Sequence, residues 1–208
     1  MSDDVKKTII RGTLISAFFY PLSILLGFAW NATLSRSLSP EEVGIFALLM
    51  TIVGIASTIA NHGMAIIANR YPALLEEKND HAGRRFVQWV SIGSPIIGAI
   101  VVAFLLFILK PIFGVFFYPE LIPTIVIIMF ILPFHSSLSS MVKLFLASRM
   151  VAANQLLSLV GMKLLPMLII LAWFELSQTG TAVDAGWAFF CSIAIVWLWG
   201  WWWINKSV

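Results

Sequence analysis

Polar residues recur at every third or fourth position inside several long apolar stretches of this sequence. The most pronounced series is His135, Ser136, Ser139, Ser140 and Lys143. Residues at this spacing share one face of a helix. Such a face can pack against another helix through its small and hydroxylated residues, or it can line a water-filled cavity that admits a polar ligand. Both interpretations stay open for these residues.

Comparable polar faces occur on the three preceding apolar stretches. They are Ser16, Tyr20, Ser23, Gly27 and Asn31 on the first, Thr51, Gly54, Thr58, Asn61 and His62 on the second, and Gln88, Ser91, Pro95 and Gly98 on the third. The sixth stretch has little polar character beyond Cys191 and Ser192. If the polar faces enclose a cavity, the sixth stretch is expected at the periphery of the bundle.

Lys163 differs from the other cations because it lies within an apolar stretch. A lysine at the centre of a membrane helix costs roughly 2.5–3.5 kcal/mol on insertion scales. Its long side chain can snorkel to the membrane surface or face a polar cavity. His62 and His135 are interpreted as hydrogen-bonded structural residues, with proton transfer as the alternative.

The positions of the acidic residues argue against catalysis inside the membrane. All 10 lie in tails, in loops or at the edges of apolar stretches, so no carboxylate pair is available there for acid–base chemistry. The 3 histidines lack metal-ligand spacing, and the single cysteine has no partner. No serine occupies a nucleophile-elbow motif. The sequence therefore predicts no enzyme, no metal site and no cofactor.

The elements that carry these residues are six stretches long enough to cross a membrane. Hydrophobic residues make up 60% of the 208 residues, and charged residues only 11%, against roughly 45–50% and 25% in soluble domains. This composition excludes a soluble enzyme and a nucleic-acid-binding domain. The stretches span about 14–32, 44–68, 86–109, 121–146, 156–174 and 185–204. We predict an all-α polytopic membrane protein with six transmembrane helices, forming a single membrane domain over residues 1–208.

Helix ends are predicted from capping and proline signals. Ser39-Pro40-Glu41-Glu42 predicts the start of the second helix, because Ser39 can cap free amides, Pro40 suits the first helical position and Glu42 completes a capping box. Two further signals predict helix ends: Tyr71-Pro72 for the second helix and Lys110-Pro111 for the third. Pro123 is predicted to start the fourth helix.

The distribution of basic residues predicts the orientation. Ten of the 13 lysines and arginines fall on one side: Lys6, Lys7, Arg11, Arg70, Lys78, Arg84, Arg85, Lys143, Arg149 and Lys206. Arg36 and Lys110 fall on the other side. This asymmetry predicts an inner-membrane protein with both termini in the cytoplasm. Tryptophans crowd the inner end of the sixth stretch, at 199 and 201–203, and are interpreted as interfacial anchors.

The loop after the first apolar stretch contains a recognisable motif. It reads Ala-Thr-Leu-Ser-Arg-Ser-Leu-Ser-Pro-Glu-Glu-Val-Gly-Ile-Phe-Ala over residues 32–47. It resembles the first loop of polysaccharide flippases, the O-antigen and teichoic-acid exporters of the multidrug/oligosaccharidyl-lipid/polysaccharide superfamily, which have a similar small-x-x-Leu-x-Arg stretch, followed by Leu-Gly-Pro-Glu-Glu-aromatic-Gly. The resemblance continues from Asn61-His62-Gly63-Met64 to Arg70 and returns at Ala147-Ser148-Arg149 and Gln155. Asn61 stands where many members have aspartate.

The resemblance implies a transport function. Members move an undecaprenyl-pyrophosphate-linked oligosaccharide between leaflets, using two six-helix lobes, of which this chain supplies one. A second lobe would come from homo- or hetero-oligomerisation, and the other partners would be membrane lipids, without nucleic acid. The residues implied in holding the substrate are Arg70, Lys143, Arg149 and Lys163, with Asn61, His62 and His135 as further cavity candidates. The alternatives are a truncated or non-transporting scaffold subunit, and half of a small-molecule exporter.

Overall fold

A computed structural model describes residues 3–116, 121–148, 150–177 and 180–206. Within these ranges the chain is helical and contains no β-strand. The helices are α1 (Asp3–Ser37), α2 (Pro40–Asn61), α3 (Met64–Glu77), α4 (His81–Phe116), α5 (Leu121–Ala147), α6 (Val151–Leu159), α7 (Leu165–Ser177) and α8 (Ala182–Lys206). A π-helical segment, Val160–Leu164, joins α6 to α7.

Six stretches of helix in the described ranges are long and apolar enough to cross a membrane. They are Gly12–Ser37, Pro40–Asn61, His81–Leu109, Pro123–Ala147, Val151–Glu175 and Ala182–Lys206. The predicted all-α polytopic class with six membrane helices is therefore confirmed. The fifth stretch runs through α6, the π segment and α7.

The second helix ends earlier than the predicted range of 44–68. α2 stops at Asn61, because His62 and Gly63 both adopt left-handed backbone conformations, with φ of 36° and 84°. Glycine adopts this conformation freely, since it has no Cβ. The chain then resumes as α3, so the prediction that Tyr71-Pro72 ends the second helix is wrong. Pro72 is buried inside α3, where the φ of its ring matches that of a helix.

The end of the third membrane helix also differs from the prediction. α4 continues to Phe116 and passes through Pro111, so Lys110-Pro111 does not end it. Proline keeps a helical φ and removes only one backbone hydrogen bond, which membrane helices tolerate. Pro123 lies in the first turn of α5, as its predicted role as a starting residue requires.

The start of α2 carries half of the predicted capping box. Ser39 Oγ accepts a hydrogen bond from the Glu42 backbone N–H at 3.3 Å, and Pro40 is the first helical residue. The Glu42 carboxylate accepts a hydrogen bond from the backbone N–H of Ala182, at the start of α8. A carboxylate at a helix N-terminus is favourable, so Glu42 ties the start of α8 to the start of α2.

The sixth membrane helix lies in the centre of the bundle, so the expectation that it is peripheral is wrong. In its most apolar part, 44% of the residues are buried, against 0% in that of α1. Small residues let α8 approach its neighbours closely. A side chain at Gly186 would meet Ile127 of α5, and one at Gly200 would meet Met141 of the same helix. The position of a helix in this bundle follows its small residues rather than its polar content.

Candidate functional site

The side-chain amide of Asn61, the last residue of α2, contacts the polar face of α5. Asn61 is buried, and its Nδ2 lies 3.1 Å from the carbonyl oxygen of Ser136, 2.9 Å from Ser139 Oγ and 2.8 Å from Ser140 Oγ. Its Oδ1 accepts a hydrogen bond from the backbone N–H of Ala65 at 2.8 Å. This amide caps the start of α3 and holds the break between α2 and α3 against α5.

The hydroxyls of α5 also donate to backbone carbonyls of α4 near Pro95. Ser136 Oγ donates to the Pro95 carbonyl at 3.1 Å, and Ser137 Oγ donates to the Ile92 carbonyl at 3.1 Å. The indole N–H of Trp197, on α8, donates to Ser137 Oγ at 2.9 Å. Serines commonly supply such hydrogen bonds around prolines in membrane helices. Helix packing therefore accounts for this part of the polar series.

The two histidines inside the membrane helices have different surroundings. His62 is exposed, with Nδ1 2.6 Å from the Ala60 carbonyl and Nε2 2.6 Å from Ser94 Oγ. A carbonyl only accepts, so Nδ1 carries the proton and donates to it. The Nδ1 of His135 is buried without a hydrogen-bond partner, and its ring lies 6.5 Å from that of Phe189. His135 faces Phe189 of α8.

Lys163 reaches the polar face of α1. Its Nζ donates to the carbonyl oxygen and to Oγ of Ser23, at 2.6 and 2.7 Å. Gly27 lies beside this Nζ, which is 3.5 Å from the position that a Cβ would take there. Lys163 lies in the π-helical segment, which directly precedes Pro166. Because Pro166 has no N–H, it cannot form the usual helical hydrogen bond to the residue four positions before it. The wider π-helical turn occurs in the segment just before it.

The charge of Lys163 has no counter-ion in the described part of the chain. Both groups that it contacts are neutral oxygens of Ser23. Glu42 and Asp184 instead cap the N-terminal region of α8, through Ala182 and Thr181. In the described part of the chain, the dipoles of these neutral groups alone solvate the positive charge of Lys163.

The structure does not gather the six predicted site residues that it describes into one cluster. Asn61 and His62 meet α4 and α5, Lys163 meets α1, and His135 faces α8. Arg70, on α3, and Lys143, on α5, are exposed. Lys143 shares the α5 face that binds Asn61, since it follows Ser140 by three positions. Arg149 lies outside the described residues.

Two pockets in the described structure lie away from these residues. The first has a volume of about 250 Å³ and is lined by Arg85, Gln88, Trp89, Ile92, Trp201, Ile204 and Asn205. The second has about 200 Å³ and is lined by Ile169, Trp173, Asp184, Trp187, Ala188 and Cys191. Sequence reasoning did not find the first pocket, because the spacing of residues along one helix does not show that α4 and α8 meet. The sequence feature that could have indicated this pocket is that Arg85 and Gln88 lie within one turn of the same helix.

The described residues contain no group of three histidine, cysteine or acidic side chains that could hold a metal ion. The hydroxyl and amide groups named above are engaged in helix packing. The arrangement therefore offers cations and hydrogen-bond donors, which bind anions.

The sequence profile of the polysaccharide biosynthesis protein family matches residues 9–203. The chain belongs to this family. The matched residues include all six membrane helices, so the polysaccharide biosynthesis family describes the whole bundle. It is a flippase-type family of the multidrug/oligosaccharidyl-lipid/polysaccharide superfamily, which agrees with the resemblance in the first loop. Its members are transporter-type membrane proteins rather than a catalytic family. The chain matches no curated protein and no solved structure.

Replacing Asn61 with alanine is expected to destabilise this member of the polysaccharide biosynthesis family by about 2 kcal/mol, because hydrogen bonds between membrane helices average about 0.6 kcal/mol each. The amide has two N–H donors and one oxygen, so this variant loses up to three hydrogen bonds at once. Reversible unfolding in mixed micelles measures the effect. Asn31→Ala, an exposed asparagine on α1, serves as the control and should unfold like the wild type. Equal stability of both variants would contradict the role given to Asn61.

Proposed function

We propose that this chain is one lobe of a flippase that moves a lipid-linked oligosaccharide across the cytoplasmic membrane. The product serves cell-surface polysaccharide biosynthesis, of which O-antigen assembly is one case. The observation that carries the proposal is the family match across all six membrane helices. The positions of the cations support it, as the next paragraphs describe.

The orientation proposed for the chain places both termini in the cytoplasm. In the bundle, Arg70 lies within α3, and the other cations of this side lie near the ends of α3, α5 and α8 or the start of α4: Lys78, Arg84, Arg85, Lys143 and Lys206. Arg36 lies at the end of α1, on the opposite side. Basic residues concentrate on the cytoplasmic side of inner-membrane proteins.

An anionic lipid head group is the ligand that suits the charges of this bundle. Lys163 is a half-buried cation whose partners are neutral, so an approaching phosphate gains a favourable interaction in a region of low dielectric. Arg70 and Lys143 are exposed at the basic side and would attract the same group from the cytoplasm. Arg149 belongs to this proposed set by its sequence position.

We also propose that the chain works with a second six-helix unit, supplied by another copy or by a different polypeptide. α1 supports this part of the proposal, because it has no buried residues in its most apolar part. Its polar residues Tyr20 and Asn31 are exposed, and lipid is an unfavourable environment for such groups. A second unit against α1 would enclose these residues, together with the face that carries Ser23 and Lys163.

Purified protein in liposomes tests the proposal. The liposomes carry a fluorescent undecaprenyl-pyrophosphate oligosaccharide, and a membrane-impermeant reductant bleaches the label in the outer leaflet. Transport makes the label of both leaflets accessible, whereas protein-free liposomes lose only the outer label. Co-reconstitution with a candidate second unit is the parallel arm. No acceleration in either arm would refute the flippase proposal and favour the scaffold alternative.

A further inference from the structure

A pocket opens at the basic end of the bundle, where α4 begins and α8 ends. Its volume is about 250 Å³, and both helices contribute polar side chains to it. Arg85 and Gln88 come from α4, and Asn205 comes from α8. None of these residues belongs to the set proposed above for the transported substrate, so the pocket is a separate feature.

The polar groups of the pocket are available for an anion. Arg85 is exposed and forms no ion pair within the described chain, whereas the neighbouring Arg84 lies 3.5 Å from Glu76. Gln88 is only 6% exposed, lines the pocket, and makes no side-chain hydrogen bond to the described residues. A guanidinium group beside an unpaired amide donor is the combination that phosphate oxygens bind.

The apolar walls of the pocket continue along the lipid-facing side of α4. The rings of Trp89 and Trp201 meet edge to face, with centroids 4.7 Å apart, and tryptophans favour the depth of lipid head groups. One turn further into the membrane, Gly93 has open space around its Cβ position. Beyond it, Ile97 and Ile100 are exposed on α4. An exposed apolar surface of α4 therefore leads from the pocket toward the membrane interior.

The size of the pocket distinguishes two possible sources of phosphate, a lipid-linked oligosaccharide and a membrane phospholipid. Sites for drug-sized ligands have volumes of about 300–1,000 Å³, and this pocket is smaller. It can hold a phosphate with a short polar substituent, but not an oligosaccharide. We infer that the pocket binds the phosphate head group of an anionic membrane phospholipid, with an acyl chain along the exposed apolar surface of α4. Bound there, the lipid joins the start of α4 to the end of α8.

Native mass spectrometry of the purified full chain tests this inference. Phosphatidylglycerol and phosphatidylcholine are titrated separately, and the bound fraction is measured for the wild type and three variants. Gln88→Leu keeps the net charge and is expected to weaken phosphatidylglycerol binding about ten-fold, because it removes a hydrogen bond to a charged group. Arg85→Ala is expected to weaken it by at least as much. Arg84→Ala removes the same charge outside the pocket and should change it less than about two-fold.

The control arms give each result a defined meaning. Thermal unfolding without added lipid establishes that the variants are folded, and inorganic phosphate replaces the lipid in a third titration. Preference for phosphatidylglycerol that is lost in Gln88→Leu and Arg85→Ala supports the inference. Equal loss in Arg84→Ala, unchanged binding in Gln88→Leu, or equal binding of inorganic phosphate would overturn it. Because no arm measures transport, failure here leaves the flippase proposal intact.

Discussion

Replacing Gly98 with alanine is expected to destabilise the bundle by about 3 kcal/mol, at the upper end of the range for overpacking. A Cβ at this position would overlap the backbone carbonyl oxygen of Ala60, on α2. A backbone atom cannot turn aside as a flexible side chain can, so α2 and α4 would have to separate. Unfolding in mixed micelles measures the loss.

The control for Gly98→Ala is Gly54→Ala, on the partner helix α2. Nothing lies within 4 Å of the Cβ position of Gly54, so alanine should be neutral there or should stabilise the helix by up to about 1 kcal/mol. If both variants unfold like the wild type, the close contact between α2 and α4 is wrong. Separation of α2 and α4 in Gly98→Ala should also affect transport. Ala60 directly precedes the break between α2 and α3 at residues 61–63, which α4 and α5 hold in place.

Composition and local motifs were sufficient to predict the class of this protein. A membrane helix must satisfy its own backbone hydrogen bonds and must cover about 30 Å of hydrocarbon, so six spans follow from the apolar stretches. The cap at Ser39 was also predictable, because the hydrogen bond to Glu42 joins residues three apart. The same loop carries the resemblance to the flippase family, which the family match confirms.

The features that the sequence did not reveal depend on contacts between distant residues. Hydropathy continues through Met64 to Ala68, so it gave no sign that the backbone reverses its handedness at His62 and Gly63. The central position of α8 depends on how Gly186 and Gly200 fit against α5. A helical pattern shows which residues share a face, but it does not show which helix that face meets.

Lys163 shows both what the sequence can reveal about a residue and what it cannot. Its presence within an apolar stretch identified it as unusual, and two interpretations followed, snorkelling and a polar cavity. In the structure its Nζ binds the carbonyl oxygen and hydroxyl of Ser23, on α1. That partner lies 140 positions away in sequence, so spacing could not reveal it.

Replacing Lys163 with methionine is expected to reduce flipping about ten-fold or more, while leaving the protein folded. The expected loss follows from removing a charge-assisted hydrogen bond to the phosphate of the substrate, which contributes about 1.5–3 kcal/mol. Stability should be unchanged or higher, because a lysine within a membrane helix costs roughly 2.5–3.5 kcal/mol. The liposome assay measures flipping, and unfolding in mixed micelles measures stability.

Ser23→Ala is the matched control, because it separates a binding role of Lys163 from a structural one. It removes the hydroxyl at 2.7 Å from Nζ, but leaves the backbone carbonyl at 2.6 Å and the positive charge. If the ammonium group binds substrate, this variant should flip within about two-fold of the wild type, because the charge and the carbonyl contact that holds it both remain. If Lys163 only joins α1 to the π-helical segment, Lys163→Met should lose stability and flipping together, and Ser23→Ala should follow it in both. Normal flipping by Lys163→Met would remove Lys163 from the proposed substrate site.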